Sequence, residues 1–171
     1  MQIDRRALRD TLGRYATGVA IVGAVAADGR RVGLTINSFA SLSLEPPLVL
    51  WSLANRSPNL ATFRECGGFS ISVLASGQHA LARRFADPAV HDRFDGIAVR
   101  GSPQGRPWIG GSLAWLCCSL SECLVAGDHT LFIGRVESHA AGDGEPLLFF
   151  RGAMNDSAAA AVCAAPRVAT V

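Results

Sequence analysis

The stretch that decides the fold reads GLTINSFASLSLEPPLVL over residues 33–50. Its two ends are typical of β-strands, whereas its middle is a run of small polar residues that closes on a double proline. Five uncharged hydrogen-bonding side chains occur within nine residues, namely Thr35, Asn37, Ser38, Ser41 and Ser43. A tight turn needs only one or two such groups. The segment therefore indicates a surface for a polar ligand, and a loop that satisfies its own backbone is the alternative interpretation.

Outward from this stretch, the sequence predicts many short strands and few helices. Strands are predicted over residues 19–26, 31–36, 48–53, 69–74, 97–100, 113–125, 129–139 and 146–150, and helices over residues 5–12, 58–65 and 78–85. Loops are predicted over residues 35–43 and 101–111. Repeated hairpins of this kind are typical of an antiparallel barrel rather than a doubly wound sheet. No Gly-x-Gly-x-x-Gly follows a strand, so a Rossmann dinucleotide site is not expected.

The composition predicts one globular domain over residues 1–156, followed by a loose Ala-rich tail over residues 157–171. Hydrophobic residues make up 49% of the 171 residues and charged residues only 18%. The low charge favours an extensive subunit interface, and a compact monomer with an Ala/Gly-rich surface is the alternative. The net charge is +2, and no basic run interleaved with aromatic residues suggests nucleic acid. No apolar stretch is long enough to span a bilayer, and no export signal is recognisable. A soluble cytoplasmic protein without membrane or nucleic-acid partners is expected.

Cysteine and histidine patterns predict reduced thiols and no metal site. The number of cysteines is five, and the adjacent pair Cys117-Cys118 on a strand places its side chains on opposite faces. The four histidines show no metal-ligand spacing such as His-x-x-x-His.

Several motifs together resemble one family. They are the run RYATGV at residues 14–19, the segment at residues 35–47, Asn55 with Ser57, Arg93-Phe94, Gly127-Asp128-His129 and Pro146-Leu147-Leu148. In order and spacing they resemble the flavin reductase family, small NAD(P)H:flavin oxidoreductases of the FMN-binding split-barrel fold. The resemblance implies a mainly β protein, an antiparallel Greek-key barrel with a few short helices, that forms a homodimer.

The resemblance also implies which residues contact the two nucleotides. The flavin would contact Thr35, Ile36, Asn37, Ser38, Ser41, Ser52, Asn55, Ser57, Arg84 and Phe85, and the nicotinamide side would be formed by His129, Asp128 and Phe150. Ser57 stands at a helix start, where free N–H groups suit a phosphate, although it can equally cap that helix. No acid, base or nucleophile is expected to be catalytic, because hydride transfer depends on positioning of the two rings.

The expected activity is hydride transfer from NADH or NADPH to FMN or FAD, with reduced flavin supplied to a partner monooxygenase. The alternative is a flavoprotein of the same fold that keeps FMN tightly bound and acts as an electron carrier, an oxidase or a non-enzymatic flavin store.

Overall fold

The computed structural model describes residues 3–156, which form three helices and twelve strands. The helices are α1 (Arg5–Leu12), α2 (Leu60–Glu65) and α3 (His79–Ala86). The strands are β1 (Thr17–Gly18), β2 (Ala20–Val25), β3 (Arg31–Ile36), β4 (Ala40–Leu44), β5 (Pro47–Ala54), β6 (Gly68–Val73), β7 (Val99–Gly101), β8 (Pro107–Ile109), β9 (Ala114–Ala126), β10 (His129–Ala141), β11 (Leu147–Phe150) and β12 (Ala153–Asp156).

The main sheet has seven antiparallel strands in the order β3-β2-β6-β9-β10-β5-β4. Its two edges, β3 and β4, are consecutive in the chain and are joined by residues 37–39 alone. The four Cα steps from Ile36 to Ala40 span at most about 14 Å, whereas six strand spacings in a flat sheet measure about 29 Å. The sheet must therefore curl until its edges approach each other, which produces a barrel that is split between β3 and β4.

An aromatic cluster fills the inside of this barrel. The indole of Trp51 on β5 stacks on the ring of Phe132 on β10, with centroids 4.5 Å apart. The rings of Phe63 and Phe69 meet the same indole edge-on at 5.0 and 5.6 Å. All four side chains have no exposed surface, and each buries enough apolar area to contribute about 2–3 kcal/mol. The interior is thus a packed core, and a ligand must bind at its rim or on its outside.

A second core cluster lies on the outer face of β2. Ile21 and Val19 on that face pack with Phe85 of α3, Phe94 and Leu147. Phe85 and Phe94 meet edge-on at 4.9 Å between centroids. A three-stranded sheet in the order β1-β11-β12 and the hairpin β7-β8 accompany this side of the barrel.

The predicted helix over Arg5–Leu12 is confirmed, and its cap has the expected chemistry. The Asp4 carboxylate accepts hydrogen bonds from the backbone N–H groups of Arg6 at 2.8 Å and Ala7 at 3.4 Å. None of the α1 side chains is buried. This helix therefore lies on the barrel surface with both of its faces accessible.

The expected mainly β, split-barrel fold is confirmed, while two predicted loops were wrong. Residues 35–43 contain the start of edge strand β4, and residues 101–111 contain β8. Both strands are short, β4 is rich in serine and β8 begins with a proline, so their composition resembles a loop, and pairing with β5 and β7 makes them strands. Strands β1 and β12 were not predicted. The expected tail at residues 157–171 lies outside the described residues.

Candidate functional site

The loop that crosses from β3 to β4 is held against β5 by one serine. The hydroxyl of Ser38 accepts a hydrogen bond from the Ser52 N–H at 3.0 Å and donates to the Ser52 carbonyl at 3.2 Å. Ser38 thus takes the place of a strand residue where β4 has not yet begun. This pairing fixes the polar loop at the split of the barrel.

The other side chains of residues 35–43 differ in burial and in whether they form hydrogen bonds. The Thr35 hydroxyl donates to the Ala82 carbonyl of α3 at 2.7 Å, and Ile36 is buried in the core. Asn37 and Ser41 are exposed, and within residues 3–156 neither side chain makes a hydrogen bond. The amide of Asn37 and the hydroxyl of Ser41 are therefore available to a ligand.

One residue that follows β5 lies close to β3. Asn59 lines a small cavity of about 30 Å³ together with Val32 and Gly33 of β3. Asn55 and Ser57 lie in the chain between Ser52, which pairs with Ser38, and this Asn59.

A hydrogen-bond network around the buried Thr130 hydroxyl fixes the exposed Asn55. Its side-chain oxygen accepts from the Thr130 hydroxyl at 2.7 Å, and its amide nitrogen donates to the Gly127 carbonyl at 3.3 Å. The Thr130 hydroxyl, which is fully buried, accepts from the Arg64 guanidinium at 3.1 Å. The end of β5 and the start of β10 are therefore rigidly joined. Thr130 and Arg64 were not predicted as site residues.

The motif Gly127-Asp128-His129 forms the turn between β9 and β10. Residue His129 pairs with Ala54 of β5 in the sheet, which brings the motif next to Asn55. The His129 Nδ1 and an Asp128 carboxylate oxygen are 2.7 Å apart. This hydrogen bond, together with the attraction of the imidazole charge, holds the pKa of Asp128 below its usual value. The carboxylate orients the ring and leaves Nε2 for another partner.

Ser57 lies in the turn that leads into α2. Its hydroxyl accepts from the Asn59 N–H at 3.3 Å, and its own N–H donates to the Ala54 carbonyl at 2.9 Å. The helix begins at Leu60, later than predicted, and Asn59 caps it without a side-chain hydrogen bond. The Ser57 hydroxyl therefore keeps its own proton available for a ligand.

Three other expected contact residues have structural partners of their own. Arg84 donates from Nη2 to the carbonyls of Asp92 at 3.1 Å and Asp95 at 2.7 Å. Its Nε is buried and has no hydrogen-bond partner among residues 3–156. The Phe85 side chain lies wholly in the second core cluster, so the structure does not bring it to the surface. Phe150 lies at the β11–β12 hairpin, where the Arg151 guanidinium covers its ring at 5.2 Å.

The structure places the predicted polar contact residues along β5 and just beyond its end. Ser41 and Ser38 lie beside Val49 and Ser52 of β5, and Asp128 and His129 adjoin Asn55 at the end of that strand. The uncharged residues of this set form what we call the polar rim, namely Asn37, Ser38, Ser41, Ser52, Asn55 and Ser57. Hydroxyl, amide and backbone groups dominate it, and such uncharged donors and acceptors suit the polar edge and ribityl chain of a flavin. The residues present at the split therefore fit a flavin nucleotide.

Comparison with known proteins identifies the class. The profile of the flavin reductase like domain matches residues 12–158. The FMN reductase (NADH) SmoA of Agrobacterium fabrum is 42% identical over 148 residues, which cover 86% of this chain and 83% of SmoA. The flavin-dependent monooxygenase reductase subunit HsaB of Rhodococcus jostii is 43% identical over 153 residues, covering 88% of this chain and 76% of HsaB.

A solved structure agrees with these relatives. The NADH:FAD oxidoreductase SgcE6 of Streptomyces globisporus, in complex with NAD and FAD fragments, superposes with a TM-score of 0.84 at 36% identity, covering 89% of this chain and 92% of SgcE6. Some relatives are longer than this chain. A probable flavin reductase of Rhizobium meliloti is 44% identical over 133 residues, and that match covers 78% of this chain but only 42% of the relative.

The chain belongs to the flavin reductase family. The resemblance inferred from the sequence motifs is therefore confirmed, and so is the split-barrel fold. Among the helices of residues 3–156, none is long and apolar enough to cross a membrane.

Proposed function

We propose that the protein is an NADH- or NADPH-dependent flavin reductase that transfers a hydride to FMN or FAD. The observation that carries this proposal is the uncharged polar rim at the split. Within residues 3–156 the side chains of Asn37 and Ser41 make no hydrogen bond there, and the Asp128–His129 pair lies close by. Membership in a family whose relatives include SmoA and SgcE6 supports the same reaction.

In this proposal the polar rim binds the flavin and the β9–β10 turn binds the nicotinamide. The flavin contacts are Thr35, Ile36, Asn37, Ser38, Ser41, Ser52, Asn55, Ser57, Arg84 and Phe85, and the nicotinamide contacts are Asp128, His129 and Phe150. For Phe85 a contact is restricted to its backbone, since its side chain is buried. Bound flavin supplies the hydride-accepting chemistry. The protein orients both nucleotides and keeps water from between them, so it needs no proton donor of its own.

A homodimer is part of the proposal. Leu42 and Leu44 of edge strand β4 expose 47% and 93% of their surface, and Leu8 and Leu12 of α1 expose 44% and 65%. Exposed leucines on an edge strand would promote aggregation of a monomer, and they form a suitable interface for a second copy of the chain. Static light scattering on a size-exclusion column would give the mass of a monomer, about 17.9 kDa, if this part of the proposal is wrong.

The activity experiment monitors the absorbance of NADH and NADPH with and without added FMN or FAD. We expect oxidation only when a flavin is present, and a nearly colourless purified protein that turns over many equivalents. No oxidation with any of the four pairs would exclude the reductase function. A protein that retains yellow flavin through purification and turns over slowly would instead be the tightly binding flavoprotein.

The partner that we propose is a flavin-dependent monooxygenase, by analogy with HsaB, which is named as a monooxygenase reductase subunit. A cytoplasmic location fits the four described cysteines, Cys66, Cys117, Cys118 and Cys123, which are all free thiols, as proteins of reducing compartments have.

A further inference from the structure

A cationic groove lies beside the β9–β10 turn and was not expected from the sequence. It has a volume of about 950 Å³ and runs between α1 and the end of β5. Arg5, Arg6 and Arg9 of α1 line it together with Arg56, and we call these four residues the arginine groove. His129 forms part of its opposite wall. The groove is therefore continuous with the motif assigned to the nicotinamide.

The four guanidinium groups are not held by close contacts within the part of the chain that the structure describes, although the charge of Arg5 contributes to the lowered pKa of Asp128. Within residues 3–156 none of them donates a side-chain hydrogen bond or forms an ion pair. Two carboxylates also line the groove, those of Asp10 and Asp128. Four cations against two carboxylates leave an excess of two positive charges, with His129 counted as neutral.

The placement of these arginines is unfavourable for α1 itself. Arg5 and Arg9 are four residues apart on one face, where like charges repel. Arg5 and Arg6 stand in the first turn, where the helix dipole favours anions, and the capping Asp4 carboxylate is the one acidic group beside them at this end of α1. The helix buries none of its side chains, so packing does not account for the arrangement either. An anion bound in the groove would relieve both repulsions.

We propose that the arginine groove binds the adenosine diphosphate group of a dinucleotide substrate. A diphosphate carries two negative charges, which match the excess in the groove, and guanidinium forks bind phosphate oxygens in pairs. The inference rests on the proposed reductase function and extends it, because it makes α1 part of a substrate site. Either NADH or FAD can supply the group, and the position of His129 favours NADH.

The first experiment uses ADP, so that its outcome is independent of turnover. Calorimetric titration of the flavin-free protein with ADP should show binding that weakens about tenfold in Arg56→Ala and more in the double variant Arg5→Ala/Arg9→Ala. Arg100→Ala is the matched control, because Arg100 is exposed on β7, outside the groove, and the change in net charge is the same. Circular dichroism verifies that α1 still folds in the double variant.

The second experiment identifies the source of the group. With FMN as acceptor, KM is measured for NADH and for reduced nicotinamide mononucleotide, which lacks the adenosine part. If NADH occupies the groove, Arg56→Ala should raise only the KM for NADH, so the ratio of the mononucleotide KM to the NADH KM should fall about tenfold. If FAD occupies it, the ratio of the FMN and FAD dissociation constants changes instead. If ADP does not bind and neither ratio changes, the proposal is overturned, and an acidic protein surface becomes the alternative occupant. Failure of the reductase proposal appears separately, as absence of NADH oxidation by the unmodified protein.

Discussion

The side chains of Asn55 and Thr130 join two strand ends that are 75 residues apart in the chain. Their hydrogen bond measures 2.7 Å, and the hydroxyl that donates it is fully buried. Arg64 donates to the same hydroxyl at 3.1 Å. Because the β9–β10 turn lies directly before Thr130 in the chain, the network holds the Asp128–His129 pair in place relative to the polar rim.

We expect Asn55→Ala to lower the free energy of unfolding by about 1–2 kcal/mol, since a buried hydroxyl loses its acceptor. Asn55→Asp keeps an acceptor for Thr130 but loses the donation to Gly127, so it serves as the matched variant. Urea denaturation of the three proteins measures the difference. Equal loss of stability in both variants would show that the bond to Gly127, rather than the bond to Thr130, holds the turn.

A second prediction concerns the packing of the barrel interior. A Cβ added at Gly134 of β10 would overlap the ring of Phe69 and lie 2.9 Å from the Cβ of Cys118. Gly134→Ala should therefore destabilise the protein by about 1–3 kcal/mol through overpacking. Gly101→Ala is the control, because a Cβ there meets nothing within 4 Å. Thermal unfolding compares the two, and an equal shift in both would contradict the steric explanation.

The features of the fold that the sequence predicts are the local ones, whereas contacts between segments distant in the chain are not predicted. The Asp4 cap of α1 and the β2–β3 hairpin are local, and residue type predicts them directly. Edge strand β4 was missed because it is short, rich in serine and closely followed by a double proline, which are features typical of a loop, and its pairing with β5 makes it a strand. The link of Asn55 to Thr130 is non-local, so no spacing within either segment signals it.

The candidate site likewise contains residues that local motifs predict and features that depend on the fold. Ser38, Asn55 and His129 belong to recognisable motifs, and the fold gathers them at one rim. The burial of Phe85 was not predicted, because an aromatic residue on an amphipathic helix has the same pattern whether it faces a ligand or a core. The arginine groove was missed because Arg56 is distant in the sequence from the cluster in α1. The density of arginines at residues 5–9 was the available signal.

The contact of Asp128 with His129 in the β9–β10 turn leads to a prediction about the titration of Asp128 at acid pH. The pKa of the Asp128 carboxyl is lowered in the folded protein, chiefly by its hydrogen bond with His129. A lowered carboxyl pKa stabilises the fold above the unfolded value, and that stabilisation disappears as pH falls through the folded value. In a ¹³C NMR titration, Asp128 should titrate below 3.8, and His129→Ala should move its midpoint up towards that value. An unchanged midpoint would mean that the imidazole is not the cause.

Binding of the flavin phosphate is tested at Ser57. If its hydroxyl donates to the phosphate, Ser57→Ala should weaken FMN by about 1–2 kcal/mol and leave riboflavin nearly unchanged. Ser43→Ala is the matched control, because the Ser43 hydroxyl accepts from the Glu45 N–H at 3.2 Å, much as Ser57 accepts from Asn59. Fluorescence quenching gives both dissociation constants. Equal weakening of FMN and riboflavin would indicate a damaged turn rather than a lost phosphate contact.

The last prediction concerns His129, whose Nδ1 is engaged by Asp128 and whose Nε2 is left for the nicotinamide nucleotide. Because the imidazole binds and does not transfer a proton, its removal should raise the nicotinamide KM and change kcat less. One lost hydrogen bond corresponds to roughly tenfold in KM. Flavin affinity should stay nearly intact in His129→Ala, since the loop around Ser38 belongs to a different part of the rim.

His139→Ala provides the control on the same strand, because His139 is exposed towards the other end of β10. Steady-state kinetics and flavin quenching on both variants separate the two binding sites. If flavin affinity collapses in His129→Ala while the nicotinamide KM is unchanged, the turn belongs to the flavin site. The arginine groove would then adjoin the flavin, and FAD rather than NADH would be the source of its adenosine diphosphate group.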